Sequence, residues 1–237
     1  MLLQTVLLSV IAASQAAKFV DQISRQSTQL LTASQNGQMI RQCSCEEERK
    51  CVGELKDQSF ECFHECWHIV KDVTPEVENL GSCFEVKQYI VNNMVDCMQG
   101  AMRTCVNHRE GKDIPYTDIS VFLNKGMETI HKQADTFLAT MGGSGRHLID
   151  TALKIGVCMK DCIIKKNSNG FCFDTANCQS LIETKEATKS LKKCIKNVGW
   201  KKEAGELCEC SVKAGVKDME QYCSMLRTMN GGSRGQK

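Results

Sequence analysis

The chain has 237 residues, 16 cysteines, 5% aromatic residues and a net charge of +2. Near-neutral charge argues against nucleic acid as a principal partner, because phosphate backbones are held by a strong basic surplus. The length suffices for one large or two small cores, and the scarcity of aromatics leaves disulfides to offset thin apolar burial.

Residues 1–16, from Met1 to Ala16, read as a signal peptide. The apolar run is about a dozen residues, enough for the hydrophobic region of such a peptide and too short to span a bilayer. Ser14 and Ala16 supply the small residues that signal peptidase accepts, although no Lys or Arg precedes the run. No later stretch is apolar enough to cross a membrane, so a secreted, extracellular product without an integral membrane segment is expected.

Every cysteine lies beyond that segment: Cys43, Cys45, Cys51, Cys62, Cys66, Cys83, Cys97, Cys105, Cys158, Cys162, Cys172, Cys178, Cys194, Cys208, Cys210 and Cys223. An even number at this density, behind a signal peptide, reads as a disulfide framework whose connectivity the sequence leaves open. The C-x2-C pairs of zinc sites are absent.

The expected fold class is all-α, a disulfide-rich helical bundle with two related Cys-rich lobes. Residues 17–42 are assigned to an N-terminal helix with Phe19, Val20, Ile23, Leu30 and Leu31 on one face, ended by Asn36-Gly37. The first lobe covers 43–105. In it, Ser44-Cys45-Glu46-Glu47 is a capping-box pattern that opens a helix over 45–57, and Thr74-Pro75 marks another helix start. Residues 106–157 contain no cysteine and read as two bridging helices, or equally as part of one continuous core. Ile119, Phe122, Leu123, Ile130, Ala134, Phe137, Leu138 and Met141 recur at helical spacing there, and Gly142 to Gly145 stop the run. A helix from Arg146 through Cys162 leads into the second lobe, 158–223, and residues 224–237 form a flexible tail.

The lobes share a spacing pattern. Cys62 and Cys66 are followed by Cys83 and Cys97, fourteen apart; Cys158 and Cys162 are followed by Cys194 and Cys208, also fourteen apart. Cysteines four apart on a helix have Cβ atoms roughly 6 Å apart, beyond disulfide reach, so each should bond to another segment and staple its helix twice.

His64-Glu65-Cys66-Trp67-His68 matches the H-E-x-x-H motif, in which two histidines one turn apart grip zinc and the glutamate activates water. The positions that would carry the extended zinc-protease pattern hold Lys71 and Thr74, and Glu85 is a carboxylate without the usual context. At about 100° per residue, Cys62, Cys66, Ile69 and Val73 cluster on one face, with His64 and His68 nearly opposite. A cysteine-anchored scaffold explains this helix better than a metal site does, so no catalytic residue and no cofactor is assigned. His64 and His68 remain the only metal-ligand candidates.

Lys185, Lys189, Lys192, Lys193 and Lys196 lie at helical spacing and could meet an anionic glycan or anionic lipid surface, although an ordinary solvated face gives the same pattern. There is no N-x-S/T sequon, and Ser144-Gly145 is the only Ser-Gly dipeptide.

Together, the signal peptide, the Cys-x3-Cys helices around Cys62-Cys66 and Cys158-Cys162, and the later single cysteines resemble nematode secreted cysteine-rich proteins, in particular the domain of chondroitin proteoglycan core proteins. The resemblance covers Cys43 to Cys223 and implies an extracellular-matrix or eggshell-associated protein without catalysis. The near-absence of Ser-Gly attachment sites departs from a proteoglycan. The function expected is that of a secreted, non-catalytic structural or binding protein. The alternatives are a zinc metallohydrolase using His64-Glu65-x-x-His68, or a carrier of lipid or small apolar ligands lined by Met and Leu of the central amphipathic helix.

Overall fold

The computed structural model describes residue 26 and residues 28–140 and 145–223. The signal-peptide stretch, Phe19, Val20, Ile23, Met141, Ser144 and the 224–237 tail lie outside the described residues.

In chain order the elements are β1 (Gln35–Gln42), α1 (Cys45–Cys66), a 3-10 turn (Trp67–Asp72), α2 (Val77–Glu85), α3 (Gln88–Ala101), β2 (Asp113–Thr117), α4 (Ile119–Thr140), α5 (Arg146–Lys166), the short α6 (Cys172–Thr175), β3 (Cys178–Gln179), α7 (Thr184–Val198), α8 (Trp200–Lys213) and a second 3-10 turn (Lys217–Met219). The fold is a disulfide-rich helical one with a small sheet.

The capping box at Ser44 is present in full. The Ser44 hydroxyl accepts from the Glu47 amide, and the Glu47 carboxylate accepts from the Ser44 amide at 2.9 Å. The helix it opens runs to Cys66, nine residues past the expected end. Two other expectations are corrected. Residues 28–33 are helical, but 35–42 form strand β1, with Gly37 at φ +81 inside an irregular stretch. Thr74 does not cap α2, which begins after Glu76; its hydroxyl accepts from the Glu76 amide and donates to the Ala214 carbonyl.

The sheet has the order β2-β1-β3. β2 pairs antiparallel with β1, Ile114 opposite Ile40, and β3 runs parallel to β1 with Gln179 opposite Gln42. Pro115 is accommodated because β2 is an edge strand and need not donate outward.

All sixteen cysteines are paired. The bonds are Cys43–Cys178, Cys45–Cys105, Cys51–Cys172, Cys62–Cys162, Cys66–Cys158, Cys83–Cys210, Cys97–Cys194 and Cys208–Cys223. Six of these eight join residues 43–105 to residues 158–223. The two Cys-rich segments therefore close each other rather than themselves.

Four of the eight bonds are unchanged when the halves are exchanged. Replacing Cys62 by Cys158, Cys66 by Cys162, Cys83 by Cys194 and Cys97 by Cys210 turns Cys62–Cys162 into Cys66–Cys158, and Cys83–Cys210 into Cys97–Cys194. Helix packing follows the same rule: α1 lies on α5, while α2 on α8 mirrors α3 on α7. The counterpart of Cys97 is thus Cys210, not the Cys208 that equal spacing suggested. Cys208 instead closes a local loop with Cys223. The Cys-x3-Cys pairs staple one helix pair twice, at Cα separations of 5.7 and 5.9 Å.

Candidate functional site

The staples fix what lies beside them. Because Cys62 and Cys66 face α5, the next residue on each turn, Phe63 and Trp67, faces the flank of the α1–α5 pair. Phe84 of α2 completes an aromatic cluster there. Ring centroids lie 4.8 Å apart for Phe63–Trp67 and 5.0 Å for Trp67–Phe84. The Trp67 indole N–H donates to the Val77 carbonyl at 3.1 Å, which satisfies its polar edge. Gly81 permits this approach, since a Cβ there would stand 3.0 Å from the Trp67 Nε1.

These rings form one wall of a cavity of about 520 Å³. The opposite wall comes from α5, where Leu148, Thr151 and Ile155 recur at helical spacing, and from Leu207 and Ser211 of α8. The segment after α8 closes one side with Val216, Met219 and Tyr222. That segment is tied down at both ends, by Thr74 bonding the carbonyl of Ala214 at 2.8 Å and by Cys208–Cys223. Among the described residues, no charged side chain lines the cavity. Three hydroxyl side chains of the described residues line it, those of Thr151, Ser211 and Tyr222. Ser211 donates to the Leu207 carbonyl at 2.8 Å, whereas the buried Thr151 Oγ1 has no partner among the described residues.

A second cavity of about 440 Å³ lies between the sheet and the start of α4, with Ile114, Ile119, Phe122 and Phe173 in its walls. Gln179 lines it but is engaged, donating to the Thr117 carbonyl at 2.7 Å and accepting from the Thr117 amide at 2.8 Å. The central helix α4 was expected to line a ligand cavity with Met and Leu. It gives Ile119 and Phe122 to this smaller cavity, and the larger one is built from α1, α2, α5 and α8 instead.

Charge is organised outside the cavities. Lys87, between α2 and α3, contacts Glu203 and Glu206 of α8, each at 2.6 Å, and Tyr89 donates to Glu203 at 2.6 Å. Hydrogen bonds to Glu203 and Glu206 raise the Lys87 pKa, while those from Lys87 lower both carboxyls. Next to the sheet, Arg41 grips Glu47 with both terminal guanidinium nitrogens, at 2.8 and 2.9 Å.

The H-E-x-x-H residues do not converge. α1 ends at Cys66 and the chain tightens into a 3-10 turn at Trp67, so His64 and His68 do not share one α-helical face. Both are exposed, and His68 Nδ1 lies 2.9 Å from the Glu65 carbonyl oxygen. The Glu65 carboxylate pairs with Lys166 at 3.1 Å, and Glu85 is exposed at the end of α2. Among the described residues, no group of three or more His, Cys, Asp or Glu is placed to hold a metal ion. Lys185, Lys189, Lys192, Lys193 and Lys196 are all exposed along α7.

Sequence reasoning missed Phe63, Trp67, Phe84 and Thr151. A signal existed for the first two, an aromatic pair four residues apart and one position out of phase with the cysteines. No helix among the described residues is long and apolar enough to cross a membrane. Comparison with family models, curated proteins and solved structures finds no match to this chain.

Proposed function

We propose that this chain is a secreted, non-catalytic binding protein that holds a small apolar ligand in the cavity walled by Phe63, Trp67 and Phe84. The cavity itself carries the reading. Its volume of about 520 Å³ falls within the range of small-molecule pockets, and its lining among the described residues is mostly apolar and aromatic, without a charged side chain. Disulfides hold three of its walls: α1 to α5, α2 to α8, and the closing segment to α8. A cavity held open by covalent bonds does not collapse when empty, so ligand entry costs little reorganisation. The disulfide content and the signal-peptide reading of residues 1–16 support an extracellular location, as does the resemblance to the chondroitin proteoglycan core domain. The hydrolase reading has less support, because His64 and His68 are exposed and Glu65 is ion-paired.

Native mass spectrometry of the protein secreted from eukaryotic cells tests this. A bound apolar small molecule is expected, lost in Leu148→Trp, which fills the cavity. A bare oxidised chain that also takes up no added alkane would overturn the proposal.

The exposed lysines of α7 favour a second, compatible activity, attachment to an anionic glycan of the extracellular matrix. Retention on heparin at physiological salt, lost when Lys185, Lys189 and Lys196 become Gln, is the expected result. Elution in the flow-through removes this activity from the proposal.

A further inference from the structure

We infer that the ligand is a neutral amphiphile, an apolar body with a single hydrogen-bonding head such as an alcohol, and that Thr151 receives the head; this rests on the cavity being the binding site.

Hydroxyl side chains within the helices mostly satisfy themselves. Ser59 donates to the Leu55 carbonyl at 2.7 Å, Thr129 to Lys125 at 2.9 Å, Thr188 to Thr184 at 2.7 Å and Ser211 to Leu207 at 2.8 Å. Each uses the carbonyl one turn back, the usual choice for a hydroxyl in a helix. Thr151 sits in α5 with the same carbonyl, that of His147, on offer and does not take it. Thr151 is 3% exposed, and its Oγ1 has no partner among the described residues. A buried hydroxyl without a partner is costly, so a partner supplied from elsewhere stabilises the site. Thr151 lines the cavity, and a threonine in a helix divides between two χ1 rotamers, so its hydroxyl can turn toward a ligand without backbone movement.

The rest of the lining narrows the head group. Among the described residues, the cavity is lined by no Lys, Arg or His to neutralise a carboxylate or phosphate, and by no Asp or Glu to hold an amine. Burying an uncompensated charge there is strongly unfavourable. A neutral donor or acceptor is what one threonine can satisfy. Ser211 also lines the cavity, but its hydroxyl is spent on the Leu207 carbonyl, and Tyr222 adds a phenol on the side of the closing segment. The rest of the described lining, dominated by the aromatic cluster and the aliphatic residues of α5, accepts apolar groups.

Titration with decanol, decane and decanoate separates these demands. Trp67 in the cavity wall reports binding through its fluorescence, read in a Trp200→Phe background because the chain has two tryptophans. Decanol should bind about five-fold more tightly than decane, the difference made by one neutral hydrogen bond. Decanoate should bind at least about ten-fold more weakly than decanol, since its charge goes unmatched. Thr151→Val should erase the preference for decanol over decane, and Thr151→Ser should keep it. Equal binding of decanol and decane by the parent protein, or an undiminished preference in Thr151→Val, would overturn the role of Thr151 and leave the cavity as a binding site. Binding of none of the three would overturn both. The three-probe comparison needs no Thr151 variant, so a Thr151→Val chain that fails to fold leaves the inference open to refutation.

Discussion

The hydroxyl of Thr74 donates to the carbonyl oxygen of Ala214 at 2.8 Å, joining positions 140 residues apart. Thr74 is 1% exposed, and its Oγ1 also accepts from the Glu76 amide at 3.0 Å. Gly215, at φ +86, presses so close that a Cβ there would stand 2.7 Å from Thr74 Oγ1. Thr74→Val keeps the shape and strands two backbone groups, and should cost about 1–3 kcal/mol in denaturant unfolding. Gly215→Ala should cost at least roughly 1–2 kcal/mol from the left-handed backbone alone. A loss under a few tenths of a kcal/mol in both would show that the segment closing the cavity is held elsewhere.

The twin staples should not act additively. With Cys66–Cys158 intact, Cys62–Cys162 closes only the short ring of one turn on α1 and one on α5. Replacing either pair by serine should therefore cost about 2–3 kcal/mol. Without both, the nearest constraint on this side is Cys51–Cys172. The combined loss should then exceed the sum by roughly 1 kcal/mol. Guanidinium unfolding of the three variants under oxidising conditions measures this excess.

Acid should weaken the junction between sheet and α1. The Glu47 carboxyl is held down from 4.5 to about 2, chiefly by hydrogen bonding from Arg41 and also by the Ser44 amide and hydroxyl, with burial opposing. Because the folded value is the lower one, the stabilisation is complete well above 4.5 and fades as pH falls toward 2. Glu47→Gln should lower stability at neutral pH and flatten this decline. Glu203, Glu206 and Asp72, also lowered, preserve part of the slope. An identical pH profile for variant and parent would contradict this assignment.

Lys87 holds two carboxylates of α8 together. Lys87→Met should cost roughly 1–2 kcal/mol near pH 7, between the values of exposed and buried pairs. Near pH 3, where Glu203 and Glu206 take up protons in the variant, the deficit should shrink. Chemical denaturation at the two pH values decides, and a pH-independent deficit would point to lost packing of the aliphatic stem instead.

Gly81→Ala tests the aromatic wall. The added methyl would meet the Trp67 indole, whose bond to Val77 should then break. A red-shifted Trp67 emission and loss of the apolar ligand are expected together. An unchanged spectrum would mean that the indole is not confined as described.

The helices were legible because their signals are local. Ser44 and Glu47 cap within one turn, and the apolar residues of α4 keep a single period. The sheet was not, because β1 is polar, with Gln35, Asn36, Gln38 and Gln42, and shows no clean alternation. Its partners, Ile114 and Gln179, are also distant in sequence. Matching cysteine spacings set Cys208 opposite Cys97, whereas in the interchange of the four disulfides it is Cys210 that answers to Cys97; Cys208 and Cys210 sit on the same helix and only packing tells them apart. Trp67 drew notice only as a filler inside a zinc motif. Its role depends on Phe84 and Gly81, which come near only after α2 folds back. Thr151 carried no signal at all, because an unsatisfied hydroxyl is a property of its surroundings.

The exchange of partners between halves also sets a timetable. Cys43, Cys51, Cys62, Cys66, Cys83 and Cys97 all bond to residues at or beyond Cys158. On a chain made from its N-terminus, these six thiols have no native partner until most of the protein has been synthesised. Of the cysteines made by then, only Cys45 and Cys105 can close correctly. Any other early bond must be undone by thiol exchange. Oxidation to the native set is thus reserved for the finished chain, and a truncated product betrays itself by its free thiols.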